Sequence, residues 1–147
     1  MPDASFVGRA MAPSTYRVGR EKIREFALAI GEGAPMCRDV DAARAAGHPD
    51  VVAPPTFTVT FTLPLITEFL KDPDFGWDYS RMVHADQSIT LHRPIHGGDD
   101  LVTVIHVEDL KGRAGSLMLT LRCEVTDPDG AAVATTRALL VTQGELT

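Results

Sequence analysis

Residues 56–70 read TFTVTFTLPLITEFL, and whether they form a strand or a helix decides what the rest of the chain can build. Val59, Phe61 and Leu63 alternate with Thr58, Thr60 and Thr62 at the period of a strand, and Thr and Val favour extended backbone. Phe57, Phe61, Pro64, Leu65 and Phe69 share roughly one helical stripe instead. The apolar character of the whole segment suits a helix buried on every side. Local propensity leans to strand, and both readings stand at this point.

The flanking sequence is easier. Downstream of a Pro- and Gly-containing loop at 72–79, four strand-like runs fall at about 80–93, 99–111, 115–127 and 131–143. Leu117, Leu119, Leu121 and Cys123 alternate with Thr120, Arg122 and Glu124, which predicts a sheet with one buried face. Asp127-Pro128-Asp129-Gly130 is a strong turn signal. Short turns between strands imply an antiparallel meander. Upstream, Ile23, Phe26, Ala27 and Ile30 lie on one stripe of a helix over 20–30, which Gly31 ends. Residues 31–55 read as a long loop holding one short helix, capped by Asp39 or Asp41 and running to Ala46. Neither a repeat nor a linker divides the chain, so one α+β domain spanning 1–147 is expected.

The chain has 147 residues, 44% apolar and 23% charged, which is enough for one well-filled core. Fourteen basic and twenty acidic residues give a net charge of −6. That balance disfavours broad binding to nucleic acid or to an anionic membrane. The start carries no apolar h-region and no stretch reaches the length of a membrane span, so a soluble cytoplasmic protein is expected. Cys37 and Cys123 form no CxxC and read as two reduced thiols.

Candidate chemistry gathers in two places. GHPD places His48 and Asp50 in the long loop, where either His48 beside the carboxylate serves as a general base or the two brace the loop. VHADQ and HRPIHGGD bring His84, Asp86, Gln87, His92, Arg93 and His96 into one region. Strict alternation would put His84 and Asp86 on one face and Gln87 on the other. His84, His92 and His96 lack metal-site spacing, so no metal is expected. There is no P-loop and no dinucleotide fingerprint, so no cofactor is expected.

Taken together, VGREKIREFALAIGEGAP, GHPDVVAPPTF and SRMVHADQSITLHRPIHGGD resemble the MaoC-like dehydratases, closest to the FAS1-like N-terminal type that includes accessory subunits of actinobacterial (R)-specific 3-hydroxyacyl-ACP dehydratases. The resemblance covers about residues 6–143. It implies a hot-dog fold, an antiparallel sheet wrapped around a central helix, and assigns 56–70 to that helix. Catalytic members look like G-D-x-N-P-[IL]-H after the first helix. Here Glu32 stands at the Asp position, Ala34 at the Asn position and Cys37 at the His position.

A thiol does not replace imidazole as a base near neutral pH without a large pKa shift. The resemblance therefore implies a subunit that binds an acyl-ACP or acyl-CoA, while a MaoC-like partner supplies Asp and His. Thr56, Phe57, Phe61, Leu65 and Gln87 are the expected substrate-binding residues, and backbone N–H groups at Thr56–Phe57 are expected to hold the thioester carbonyl. Two alternatives remain: a self-sufficient homodimer using Glu32 or His84, and an acyl-thioester-binding module without chemistry. Arg93 and Asp99 are expected to tie a turn by an ion pair.

Overall fold

The computed structural model of the chain describes residues 2–146. Five strands form a single antiparallel sheet: β1 (Ser14–Arg17), β2 (Val83–Leu91), β3 (Asp100–Arg113), β4 (Ser116–Thr126) and β5 (Ala132–Gln143). Their spatial order is β1-β3-β4-β5-β2. Three helices accompany them: α1 (Arg20–Ala29), α2 (Val40–Ala45) and α3 (Val59–Leu70). The sheet curls around α3, which is the hot-dog arrangement.

Residues 56–70 are therefore helical. A 3-10 turn over Pro55–Thr58 leads into α3. Tertiary packing overrides the strand propensity of the threonines. Phe61, Thr62, Ile66, Phe69 and Leu70 are buried against the sheet. The threonine hydroxyls are absorbed by the helix itself: Thr60 Oγ1 donates to the Phe57 carbonyl at 2.8 Å and Thr62 Oγ1 to the Thr58 carbonyl at 2.9 Å. Pro64 sits on the exposed side of the helix.

The predicted alternation in β4 is present. Leu117, Leu119, Leu121, Cys123 and Val125 are buried, and the residues between them face the other way. α1 ends where expected, with Gly31 in the left-handed region at φ +73°. Asp39 caps α2 through the Ala42 N–H at 2.7 Å. The strand β1 has no counterpart among the sequence expectations.

One expectation is corrected. A bulge between His84 and Asp86 pairs His84 with Leu140 and Asp86 with Leu139. Cross-strand partners share a face. Leu140 belongs to the buried row of β5 and Leu139 does not. The extra residue, Ala85, thus turns His84 and Asp86 to opposite faces and brings Gln87, opposite buried Ala138, onto the face of His84. Strict period-2 counting fails wherever a bulge inserts a residue.

Candidate functional site: a pocket at the head of the central helix

A pocket of about 390 Å³ opens where three chain segments meet. Glu32, Ala34, Met36 and Cys37 come from the loop after α1. Val52, Ala53, Pro54 and Pro55 lead into α3. Leu91, His92, Arg93 and Pro94 leave the end of β2. The walls are mostly apolar, as ligand pockets generally are.

The geometry of the first segment follows from its sequence. Gly31 turns the chain out of α1, and Pro35 starts a 3-10 turn over Pro35–Cys37 that buries Cys37. Glu32 bends back on its own loop, where its Oε1 accepts from the Ala34 N–H at 2.9 Å. Arg38 donates to the Glu32 carbonyl. Burial pushes the Cys37 thiol above its ordinary pKa and the Glu32 carboxylate adds to the effect, against a smaller opposing pull from Arg38. Cys37 is therefore a neutral thiol near pH 7 and a poor base.

The second and third segments are bound to each other. Val52 and His96 form an isolated bridge, and the Ala53 N–H donates to the Ile95 carbonyl at 2.8 Å. His48 Nδ1 lies 3.1 Å from His96 Nε2, and burial lowers the His96 pKa. Asp50 pairs with Arg20 of α1 at 2.5 Å and accepts from the Val51 N–H at 2.8 Å. Of the two readings for His48 and Asp50, the contacts are those of loop bracing. Gly97 lies so close that a Cβ there would stand 2.6 Å from Asp50 Oδ1. Arg93 and Asp99 form the expected ion pair at 2.7 Å, and Asp99 also accepts from the His96 N–H at 2.9 Å.

The structure brings together only part of the expected site. Glu32 and Cys37 share the pocket with Pro54 and Pro55, next to Thr56. The Phe57 N–H is engaged by the Pro54 carbonyl at 2.9 Å. Phe57 and Phe61 are packed into the core, where Phe57 meets Phe26 edge-on and Phe61 stacks on Tyr16 at 5.0 Å. Leu65 faces a separate pocket with Met11, Phe69, Thr103 and Ile105. His84 and Gln87 lie along the outer edge of the sheet, with Ala85 and Asp86. His84 stands seven positions before Leu91, about 23 Å of strand. Met36, Val52 and His92 were not singled out as pocket residues. They are distant in sequence, and only the fold brings them together.

Among the described residues, no three His, Cys, Asp or Glu side chains converge on a point that would suit a metal. No described helix is long and apolar enough to cross a membrane.

The model of the FAS1-like dehydratase domain region matches residues 5–136. A UPF0336 protein of Saccharopolyspora erythraea is 51% identical over 143 residues, covering 97% of this chain and 92% of the relative. Among solved structures, a C-terminally truncated HadBC (3R-hydroxyacyl-ACP dehydratase) complex from Mycobacterium tuberculosis is similar at TM-score 0.84 and 28% identity, covering 92% of this chain and 96% of that one. A MaoC-like dehydratase is similar at TM-score 0.86 and 30% identity, covering 95% of this chain but 43% of that longer one.

Proposed function

The chain belongs to the FAS1-like dehydratase family, and from that premise we propose that it is the acyl-holding subunit of an (R)-specific 3-hydroxyacyl-thioester dehydratase, with a MaoC-like partner supplying acid and base. The reaction is reversible loss of water from a 3-hydroxyacyl-ACP or -CoA. A base removes the α-proton, an acid protonates the departing 3-hydroxyl, and the thioester carbonyl carries the developing charge.

The observation that carries this reading is the loop at 31–37. Where the active relatives of the resemblance place imidazole, this pocket holds a buried thiol whose pKa is raised. Its carboxylate, Glu32, is bonded to its own loop. The pocket retains the apolar walls for an acyl group without an evident dyad beside them. The partner's surface is the β2 edge, which runs exposed from Val83 to Asp86. The HadBC complex supports pairing of such domains. Both cysteines are free thiols, which suits the reducing cytoplasm as the proposed location.

A self-sufficient homodimer using Glu32 or His84 is the second reading. About 23 Å of strand lies between His84 and the pocket wall at Leu91, so in that reading His84 acts on substrate held by a neighbouring chain.

The test is hydration of crotonyl-CoA, followed by loss of enoyl-thioester absorbance. The purified protein alone is expected to be inactive, and activity is expected on adding a MaoC-like partner. Turnover by the protein alone, abolished by Glu32→Gln or His84→Gln, would establish the second reading. Thioester binding with no turnover in any combination would leave a binding module.

A further inference from the structure

Two imidazoles join the segments that form two of the pocket's walls. His48 Nδ1 lies 3.1 Å from His96 Nε2, and the ring centroids are 5.2 Å apart. His48 is fixed to the end of α2, where its N–H donates to the Ala43 carbonyl at 3.0 Å. His96 lies in the turn that follows β2, and its own N–H donates to Asp99. Backbone bonds lace the same two segments together: the Ala53 N–H donates to the Ile95 carbonyl at 2.8 Å, and the Gly97 N–H to the Val51 carbonyl at 3.0 Å. Val52–Pro55 on one segment and Arg93 and Pro94 on the other line the pocket.

A bond between two ring nitrogens has a strict proton requirement. One nitrogen carries the hydrogen and the other presents a lone pair. The neutral pair meets that requirement, and so does a pair with one added proton. With two added protons both facing nitrogens are donors, so the bond is lost and two cations face each other.

The surroundings hold no spare anion for that second charge. From the turn, Asp99 is bonded to Arg93 at 2.7 Å. From the loop, Asp50 is bonded to Arg20 of α1 at 2.5 Å. Arg44 of α2 adds a further positive charge, with its Nε directed at the Pro49 carbonyl. Burial is the largest cause that lowers the His96 pKa; His48 and Arg93 add to it, while Asp99 and Asp50 oppose it.

We propose that His48 and His96 form a proton-operated clasp on the pocket: with at most one added proton the rings hold the two walls together, and a second proton releases them. The clasp acts on the walls themselves, so it stands whatever the pocket binds. An imidazole whose charged form is disfavoured in the fold contributes stability that is fully present above its ordinary value of 6.5 and is lost progressively as pH falls below it.

The test is amide hydrogen exchange followed by NMR at pH 7.5 and pH 5, corrected for intrinsic rates. Ala53 and Gly97 report opening of the clasped segments. Leu119 and Leu121, in the middle strand β4, report global unfolding. At pH 5 a proton refused by the closed form favours opening by at most about thirtyfold. Wild-type protection at Ala53 and Gly97 is expected to fall by about threefold to tenfold, the scale of one hydrogen bond, while Leu119 and Leu121 hold. His48→Phe, which keeps a ring without nitrogen, is expected to show the lowered protection at both pH values. His48→Asn, whose amide donates to or accepts from His96 in either protonation state, is expected to keep the higher protection at both. Constant protection in wild type across this range overturns the clasp. So does an equal fall in wild type and both variants, which would mean that another group titrates. A fall of the same size at Leu119 and Leu121 marks global unfolding and overturns it as well.

Discussion

Asp50 offers the sharpest test of how the pocket is held. Its carboxylate joins the first turn of α1, through Arg20, to the segment that continues into the pocket wall at Val52. The hydrogen bond from Arg20 is the largest cause of its shift, and its pKa falls from 3.8 to about 2. At about 1.36 kcal/mol per pKa unit, a shift of about 1.8 units corresponds to about 2.4 kcal/mol. That is an upper bound, because the Arg20 side chain is 43% exposed and solvent screens the pair. Exposed pairs contribute about 0.2–1 kcal/mol, so about 1 kcal/mol is expected.

The sign follows from the depressed folded-state value. The stabilisation is fully present above the unfolded pKa and is lost as pH falls from about 5 to about 2. Urea unfolding of wild type and Asp50→Asn should differ by about 1 kcal/mol at pH 7. The gap should narrow towards pH 2, where about half of the folded-state Asp50 carboxyls are protonated, and close below it. A gap that does not change with pH would refute the ion-pair account. A gap below about 0.3 kcal/mol at pH 7, under the range of even typical exposed pairs, would show that the Asp50 carboxylate does not brace this loop.

Both thiols should resist alkylation in the native protein. Cys37 should react with iodoacetamide slowly at pH 7 and faster as pH rises, and Cys123, pushed up to about 11 by burial, should react only on unfolding; rapid stoichiometric labelling at pH 7 would contradict both. Phe61→Trp adds volume beside Tyr16, where the rings stack at 5.0 Å. It should shorten the acyl chain accepted by the complex and cost about 1–3 kcal/mol of stability; an unchanged chain-length preference would count against an acyl path along α3. His84→Gln, at an exposed edge position, should leave the unfolding midpoint of the isolated chain unchanged and lower turnover of the reconstituted complex. Equal turnover would remove His84 from the site.

The sequence disclosed those elements whose local signals agree with their burial. β4 has one face in the core, so Leu117 to Val125 alternate visibly. Asp39 caps α2 as its position suggested. Residues 56–70 were not decidable from pattern, because strand-favouring threonines sit in a helix that satisfies their hydroxyls with its own carbonyls. β1 is only four residues long, too short for periodicity to register. The bulge at Ala85 has no local signature, yet it reverses the facing of His84 relative to Asp86. Of the site, Glu32 and Cys37 were found through the family resemblance. The contacts of His92 with Thr135, and of Thr135 with Glu124, depend on the order of strands in the sheet, which no local pattern carries.

That strand order also bears on where His84 belongs. The sheet has two edges. Beside short β1, the chain at 8–11 bonds along β3, with the Gly8 N–H donating to Val107 and the Met11 N–H to Ile105, both at 2.8 Å. β2 is nine residues long, and Val83 at its head is 61% exposed. A long uncovered edge is a pairing surface. In the proposed complex, two such edges that pair antiparallel place the head of one strand against the tail of the other. Centred near Gln87, that pairing sets His84 opposite the residue equivalent to Thr90, next to the wall that corresponds to Leu91–Pro94. The imidazole remote from the pocket of its own chain would then stand at the pocket of its neighbour. The bulge favours this arrangement, since it turns His84 to the face shared by Gln87, Ile89 and Leu91, and Leu91 is part of the pocket wall.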